Sequence, residues 1–220
     1  LQKFMTHPTT RICFVRHGET DWNAEQRMQG HKDLPLNADG LAQAEEASSY
    51  FIGLPVSAIY SSDLLRAQQT ARPIAGALKL PVTLLPELRE RNYGRCEGMI
   101  RHEVATRFPE DALALRERHA DYVLPDGESL RQHQNRILDC VVRLAGEHAG
   151  KTLVVVTHGG VLDLLYRRAS GMTLEQARDF DIPNTGINWI SVCGEQWSIE
   201  RWADTSHLVS RAAIEVTANF

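Results

Sequence analysis

Short apolar runs that alternate with helix-periodic stretches constrain this chain more than any other feature. Thr152-Leu153-Val154-Val155-Val156 is apolar on both faces of the pleat, which predicts a strand in a sheet covered from both sides. Residues 11–15, 56–60 and 82–85 predict three further strands. Helical patterns lie between them. Asn37 is placed to cap a helix with Leu41, Ala44, Ser48 and Phe51 at helical spacing. Ser61-Ser62-Asp63 is expected to cap a second helix running towards Leu78, and Pro73 inside it predicts a kink or a break. Residues 99–125 are helix-rich but interrupted at Pro109, which predicts two short helices. Ser129-Leu130-Arg131-Gln132 is a capping box, opening an amphipathic helix with Leu130, Ile137, Leu138, Val141, Leu144 and Ala145 on one face and Gly150 as its stop. A further helix over 161–169 ends near Gly171, and residues 186–192 and 197–202 predict a closing hairpin across Gly194-Glu195. Strands alternating with helices predict an α/β fold: a three-layer α/β/α sandwich with a mostly parallel central sheet. The 220 residues hold no repeat or linker, so one domain is expected over 1–220, with its core over about 11–204.

In such sheets ligands bind outside the carboxyl ends of the strands. Arg16-His17-Gly18-Glu19-Thr20 follows the first predicted strand. Arg66 lies one helical turn beyond the second, Glu90 shortly after the third, and His158-Gly159-Gly160 directly after the fourth. Strand order and polarity thus bring four polar groups to one edge. Arginine offers a planar fork matched to phosphate oxygens, and Arg66 near a helix N-terminus would add the free N–H groups of that helix. A neutral imidazole is a nucleophile, and neighbouring cations favour the neutral form. His17 beside Arg16 therefore suits a covalent phosphohistidine. His158 suits a charged or hydrogen-bonding stabiliser of the phosphoryl oxygens, and Glu90 an acid that protonates the departing oxygen and then activates water. Singly, each has an ordinary structural explanation: a satisfied strand-end histidine, a surface ion-pair partner, a solvated cluster of Glu87, Arg89 and Arg91, or a tight turn. Their convergence is what points to phosphoryl chemistry.

Composition narrows the alternatives. A net charge of −4 and a pI near 6.1 give no basis for a nucleic-acid groove or binding to an anionic membrane surface. The apolar runs fall far short of the ~20 residues that span a bilayer, and the N-terminus lacks the apolar stretch of a signal peptide. Met5 is a candidate natural start, with Leu1 to Phe4 ahead of it. Four widely spaced cysteines without a CxxC pair fit a reducing cytoplasm, and Cys13 and Cys140 read as core residues. GxSxG, HExxH and GxxxxGK[ST] motifs are missing from the sequence. A zinc site built from His17, His158 and Glu19 is disfavoured because the adjacent arginines repel a dication. Trp189, Trp197 and Trp202 fit either a homodimer interface or a sheet-packed core, and 205–220 receive no role.

These residues resemble the histidine phosphatase superfamily, also called phosphoglycerate-mutase-like. The resemblance runs through Phe14-Val15-Arg16-His17-Gly18-Glu19-Thr20-Asp21-Trp22-Asn23, Tyr60-Ser61-Ser62-Asp63-Leu64-Leu65-Arg66-Ala67, Glu90-Arg91-Asn92-Tyr93-Gly94 and Val156-Thr157-His158-Gly159-Gly160. It implies that His17 is the phosphorylated nucleophile and that Arg16, Arg66 and His158 hold the phosphoryl group, with Asn23 in the same pocket. Glu90 matches the acidic proton donor. Gln29, Gly30 and Gly159 fall where related enzymes line the substrate site, with Tyr93 and Arg101 near it. No metal or organic cofactor is implied; 2,3-bisphosphoglycerate would serve as primer only in a mutase. The implied partner is a small phosphorylated metabolite. Residues 98–125 lack the mutase insertion with its paired arginine and proline-rich loop, and Arg116-Glu117-Arg118 only echoes it. A shorter cover admits water, so the resemblance favours a phosphoric monoester hydrolase of the histidine acid phosphatase type over a phosphoglycerate mutase. Arg101 stands near the place where mutases use lysine, which keeps phosphorylated carboxylic acids among the candidate substrates. A non-catalytic phosphate-binding module is the third alternative; the presence of nucleophile, clamp and proton donor together argues against it.

Overall fold

A computed structural model describes residues 8–208. Its strands are β1 (Thr10–Arg16), β2 (Ala58–Ser61), β3 (Val82–Leu84), β4 (Thr152–Thr157), β5 (Ile187–Cys193) and β6 (Gln196–Asp204). The helices are α1 (Asp21–Ala24), α2 (Ala38–Tyr50), α3 (Leu65–Leu78), α4 (Arg101–Arg107), α5 (Pro109–Arg116), α6 (Leu130–Glu147) and α7 (Gly159–Ser170). The six strands of the described residues form one sheet in the order β3-β2-β4-β1-β5-β6. β1 to β4 pair in parallel, while β5 runs antiparallel to β1, and β6 to β5. The sheet is therefore mostly parallel, with the expected hairpin as its antiparallel edge.

The pleat of the central strands builds the two outer layers. Ile12 and Phe14 of β1 and Leu153 and Val155 of β4 point into a core shared with Ile137, Val141 and Leu144 of α6 and Val161, Leu162 and Leu165 of α7. Cys13, Val15, Val154 and Val156 alternate with them and pack on the other face with Phe51 and with Ala67, Ala71 and Ile74 of α3. Each fully buried leucine or isoleucine contributes ~1.5–3 kcal/mol relative to an exposed one. Trp189 belongs to the second core, and Trp197 and Trp202 pack against the first, so these tryptophans take the sheet-packed alternative.

Four local expectations are corrected. α2 buries Gly40, Gln43, Ala44 and Ala47, while Leu41 is 46% exposed, because the loop carrying Glu19 docks on its first turn: a Cβ on Gly40 would lie 2.0 Å from the Glu19 carbonyl. α3 starts after Leu64 rather than at the Ser61-Ser62-Asp63 cap. Its first N–H, on Leu65, goes to Asp33 Oδ1 at 2.6 Å, and the Asp63 carboxylate is held instead by Arg89. Of the two outcomes expected at Pro73 the break does not occur: α3 runs through it from Leu65 to Leu78, with Ala71 and Ile74 in one core. α7 begins two residues before the predicted start, with His158 at its N-cap. The capping box at Ser129 and Gln132, the break at Pro109 and the left-handed stop at Gly171 stand as predicted. Among the described residues no helix is long and apolar enough to cross a membrane. Within 205–220, residues 209–220 lie outside the described residues, as do Leu1 to Phe4 and Met5.

Candidate active site

The parallel register of β1 and β4 makes Arg16 and Thr157 partners. The next residues, His17 and His158, leave the sheet at the same level, and their rings lie 5.1 Å apart. Nδ1 of His17 is 2.7 Å from the Gly18 carbonyl. A carbonyl only accepts, so Nδ1 carries the proton and Nε2 keeps its lone pair. Burial, then Arg66, then Arg16 hold His17 well below the usual imidazole range, against a smaller opposing pull from Gly18.

His158 is fully buried, and its Nε2 lies 2.8 Å from Ser62 Oγ. That oxygen accepts the Leu64 N–H at 3.3 Å, and a hydroxyl with a second lone pair and one O–H can either accept from Nε2 or donate to it. Nδ1 has no hydrogen-bond partner. Burial first, then Arg66, keeps His158 well below its usual range, so in this state it is a neutral hydrogen-bonding group rather than a charged one.

Both arginines are anchored by their terminal nitrogens. Arg16 Nη1 donates to the Ile182 carbonyl at 2.6 Å. Arg66 donates to the carbonyls of Lys32 and Gly30, each at 2.8 Å. The Nε of each is buried without a partner. Burial lowers both to about 10, so both remain cations at neutral pH.

Glu90 is held across the edge. Its Oε1 accepts the Arg91 N–H and its Oε2 the Gly160 N–H, both at 2.8 Å. A Cβ on Gly160 would stand 2.1 Å from Oε1, so only glycine there lets the carboxylate sit on the first turn of α7. Asn23 uses its carboxamide oxygen to take the Thr20 N–H and hydroxyl, which leaves its NH2 as what it can offer a ligand.

A cavity of about 240 Å³ opens here. Arg16, His17, Asn23, Gln29, Gly30, Arg66, Glu90, Tyr93, Arg101 and Gly159 all line it. His158 is fully buried beside the cavity, its ring 5.1 Å from that of His17. Sequence reasoning missed Arg118, Arg178 and His133, which also line the cavity, and Asn184, whose Nδ2 donates to the His17 carbonyl at 2.9 Å. A signal for 172–186 existed: β5 is antiparallel to β1, so the chain entering it has to pass the edge where Arg16 and His17 stand. His133 showed itself only as a polar residue on the apolar face of α6. The arrangement can bind a tetrahedral oxyanion between fixed cations and present an unprotonated imidazole nitrogen to it.

The chain belongs to the histidine phosphatase superfamily (branch 1), whose model matches residues 12–205. Phosphoglycerate mutase-like protein 4 of Arabidopsis thaliana is 39% identical over 201 residues, covering 90% of this chain and 86% of that protein. A metal-independent phosphoserine phosphatase of the same plant is 38% identical over 206 residues, covering 91% and 84%. Among solved structures, Bacillus stearothermophilus YhfR superposes with a TM-score of 0.84 at 31% identity, over 90% of this chain and 99% of that one. The Entamoeba histolytica phosphoserine phosphatase in complex with 3-phosphoglyceric acid does so at 0.78 and 26%, over 91% and 100%. The family is one of phosphatases and two of these relatives are named phosphoserine phosphatases, which supports phosphomonoester hydrolysis as the activity class of this chain.

Proposed function

We propose that this chain hydrolyses small phosphate monoesters whose alcohol part carries a carboxylate, through a covalent phosphohistidine on Nε2 of His17. Three buried nitrogens without a protein partner gather around an imidazole whose free nitrogen is unprotonated: Arg16 Nε, Arg66 Nε and His158 Nδ1, which donates in the tautomer that protonates it. Phosphoryl oxygens would satisfy all three. Nε2 attacks phosphorus, the P–O bond to the alcohol breaks, and Glu90 gives its proton to the departing oxygen. Glu90 then takes a proton from water, the water oxygen attacks phosphorus, and the N–P bond breaks to release inorganic phosphate. Every group on this route belongs to the chain itself, so no metal or organic cofactor is assigned.

Carboxylate recognition is supported by the rest of the wall, where Arg101 and Arg178 stand with Tyr93, while Arg118 is already paired there with Asp163 at 2.6 Å. Burial lowers the proton affinity of Arg101, and Arg178 lowers it further, as expected of cations that share one space. The complexes of the Entamoeba phosphoserine phosphatase with 3-phosphoglyceric acid and, in a variant, with phosphoserine point the same way. The lowered proton affinity of His17 keeps the nucleophile available in acid, which supports the acid-phosphatase type. Cys13, Cys96, Cys140 and Cys193 are free thiols, which supports a cytoplasmic setting.

The test is phosphate release from a phosphoester panel with a chelator present, together with acid-quenched trapping of the enzyme. Wild type should carry label on His17, and His17→Ala should release no phosphate above background; full activity in that variant would end the reading. Incubation with 3-phosphoglycerate, with and without 2,3-bisphosphoglycerate, tests the mutase alternative. Primer-dependent 2-phosphoglycerate formed faster than phosphate would favour an isomerase.

A further inference from the structure

We infer that His133 is a specificity-determining residue, placed to hydrogen-bond a hydroxyl on the alcohol part of the substrate. The inference rests on the hydrolase reading above and goes beyond the phosphoryl and carboxylate contacts. His133 lies on the buried face of α6 between Leu130 and Ile137 and is fully buried. Neither of its ring nitrogens has a hydrogen-bond partner. A neutral imidazole carries one donor and one acceptor, and buried polar groups are normally paired. A leucine would fill this position without leaving two groups unsatisfied, so packing alone does not explain a histidine here.

Its location does. His133 lines the active cavity, as the equally buried Arg66 does. Arg136, one step along the same helix face, donates to the carbonyls of Arg89 and Glu90 at 3.0 and 3.2 Å. This locks α6 against the segment that carries the proton donor. His133 therefore faces the 89–91 segment that carries the proton donor and lies near His158, and it shares the cavity wall with Glu90. The Arg89 carbonyl pulls weakly on the ring without reaching hydrogen-bonding geometry.

The chemistry of the ring selects the ligand group. Burial, then Arg136 and Arg91, hold His133 well below the usual imidazole range, so it is neutral. A hydroxyl answers a neutral ring nitrogen whether that nitrogen bears the proton or the lone pair. A carboxylate answers only an N–H. An ammonium answers only a lone pair and is repelled by Arg91 and Arg136.

Two substrate pairs test this: 3-phosphoglycerate against 3-phosphooxypropanoate, and glycerol 1-phosphate against 3-hydroxypropyl phosphate. The members of each pair differ by a hydroxyl near the ester. Wild type should prefer the hydroxylated member in kcat/KM by about tenfold or more. His133→Leu should bring that ratio close to one and melt at a higher temperature than wild type, because it removes unpaired buried polar atoms. His133→Asn, which keeps a donor and an acceptor, should retain most of the preference. A wild type that treats the members of the alcohol pair alike overturns the inference whatever the variants do, and so does an unchanged ratio in His133→Leu. A wild type selective within the alcohol pair but inert on the acid pair would sink carboxylate recognition and leave the role of His133 standing.

Discussion

Gly160→Ala separates the placement of the proton donor from every other property of the site. The added methyl would sit 2.1 Å from Glu90 Oε1, 3.0 Å from its Cδ and 3.3 Å from Oε2. All three atoms belong to the tip of one side chain, so the backbone of α7 can stay where it is while the carboxylate swings away. The swing gives up the 2.8 Å bond from the Gly160 N–H. A charge-assisted bond of this kind is worth ~1.5–3 kcal/mol, and alanine recovers up to ~1 kcal/mol over glycine in a helix. The net destabilisation is about 0.5–3 kcal/mol, roughly 1–12 °C in Tm for a chain of this size. The chemical effect is larger. A positioned general acid contributes ~10²–10⁴ in rate, about 2.7–5.4 kcal/mol of barrier, so kcat/KM on an alkyl phosphate, which reports formation of the phosphoenzyme and not its hydrolysis, should fall by that factor. p-Nitrophenol leaves without a proton, so kcat/KM on its phosphate should fall less than about tenfold. Steady-state kinetics on both esters, with a thermal melt of the same preparation, is the assay. An equal loss in kcat/KM on the two esters, or no loss on the alkyl ester, would refute Glu90 as the proton donor.

Two further expectations follow from the same geometry. His17, His133 and His158 are all held well below the usual imidazole range, burial first. The unfolded chain therefore binds protons below about pH 6.5 that the fold refuses, and stability should drop as pH falls from 7 to 5.5 by ~1 kcal/mol per histidine. Urea midpoints across that window measure it, and a flat profile would contradict the neutral assignment. Arg66→Lys should raise KM by about 10–100-fold, because an ammonium cannot hold the Lys32 and Gly30 carbonyls and still offer a donor corresponding to Nε; an unchanged KM would count against Arg66 as a phosphoryl clamp.

The convergence of residues 16, 17, 66, 90 and 158 was legible because it depends only on strand ends. Parallel strands finish on one edge, and the partnership of Arg16 with Thr157 fixes the level at which both histidines leave the sheet. Local signals with reciprocal chemistry were equally legible, as at Ser129 and Gln132, where each side chain takes the other residue's backbone N–H. Features set by distant segments were not. The first N–H of α3 is taken by Asp33, 32 positions away, and nothing near Leu65 announces it. Leu41 has the spacing of a core residue, yet the face of α2 turns towards Gly40 because the loop after His17 needs close backbone contact there. Arg118 and Arg178 reach the wall from segments whose helical or irregular pattern says nothing of direction. His133 was hidden because a single polar residue on an apolar face is ordinarily satisfied by its neighbours, and here the neighbours leave both nitrogens unpaired.

Burial gives the site two properties that water would set against each other. An exposed imidazole near pH 6.5 is partly protonated, and exposed arginines are screened by solvent. Removing water keeps His17 unprotonated and strengthens the field of the two arginines on whatever enters. The cost falls on the arginines, whose proton affinity drops to about 10, still far enough above neutrality that neither loses its charge. Their terminal nitrogens are tied to backbone carbonyls of Ile182, Lys32 and Gly30, so the forks cannot turn away when the cavity is empty. On the proposed mechanism two fixed positive charges would face a phosphoryl dianion, and the count balances with His158 neutral. The two neutral histidines would then divide the work: His17 supplies a lone pair to phosphorus and His158, with its proton on the unpaired Nδ1, a donor to an oxygen, while the arginines alone carry the compensating charge.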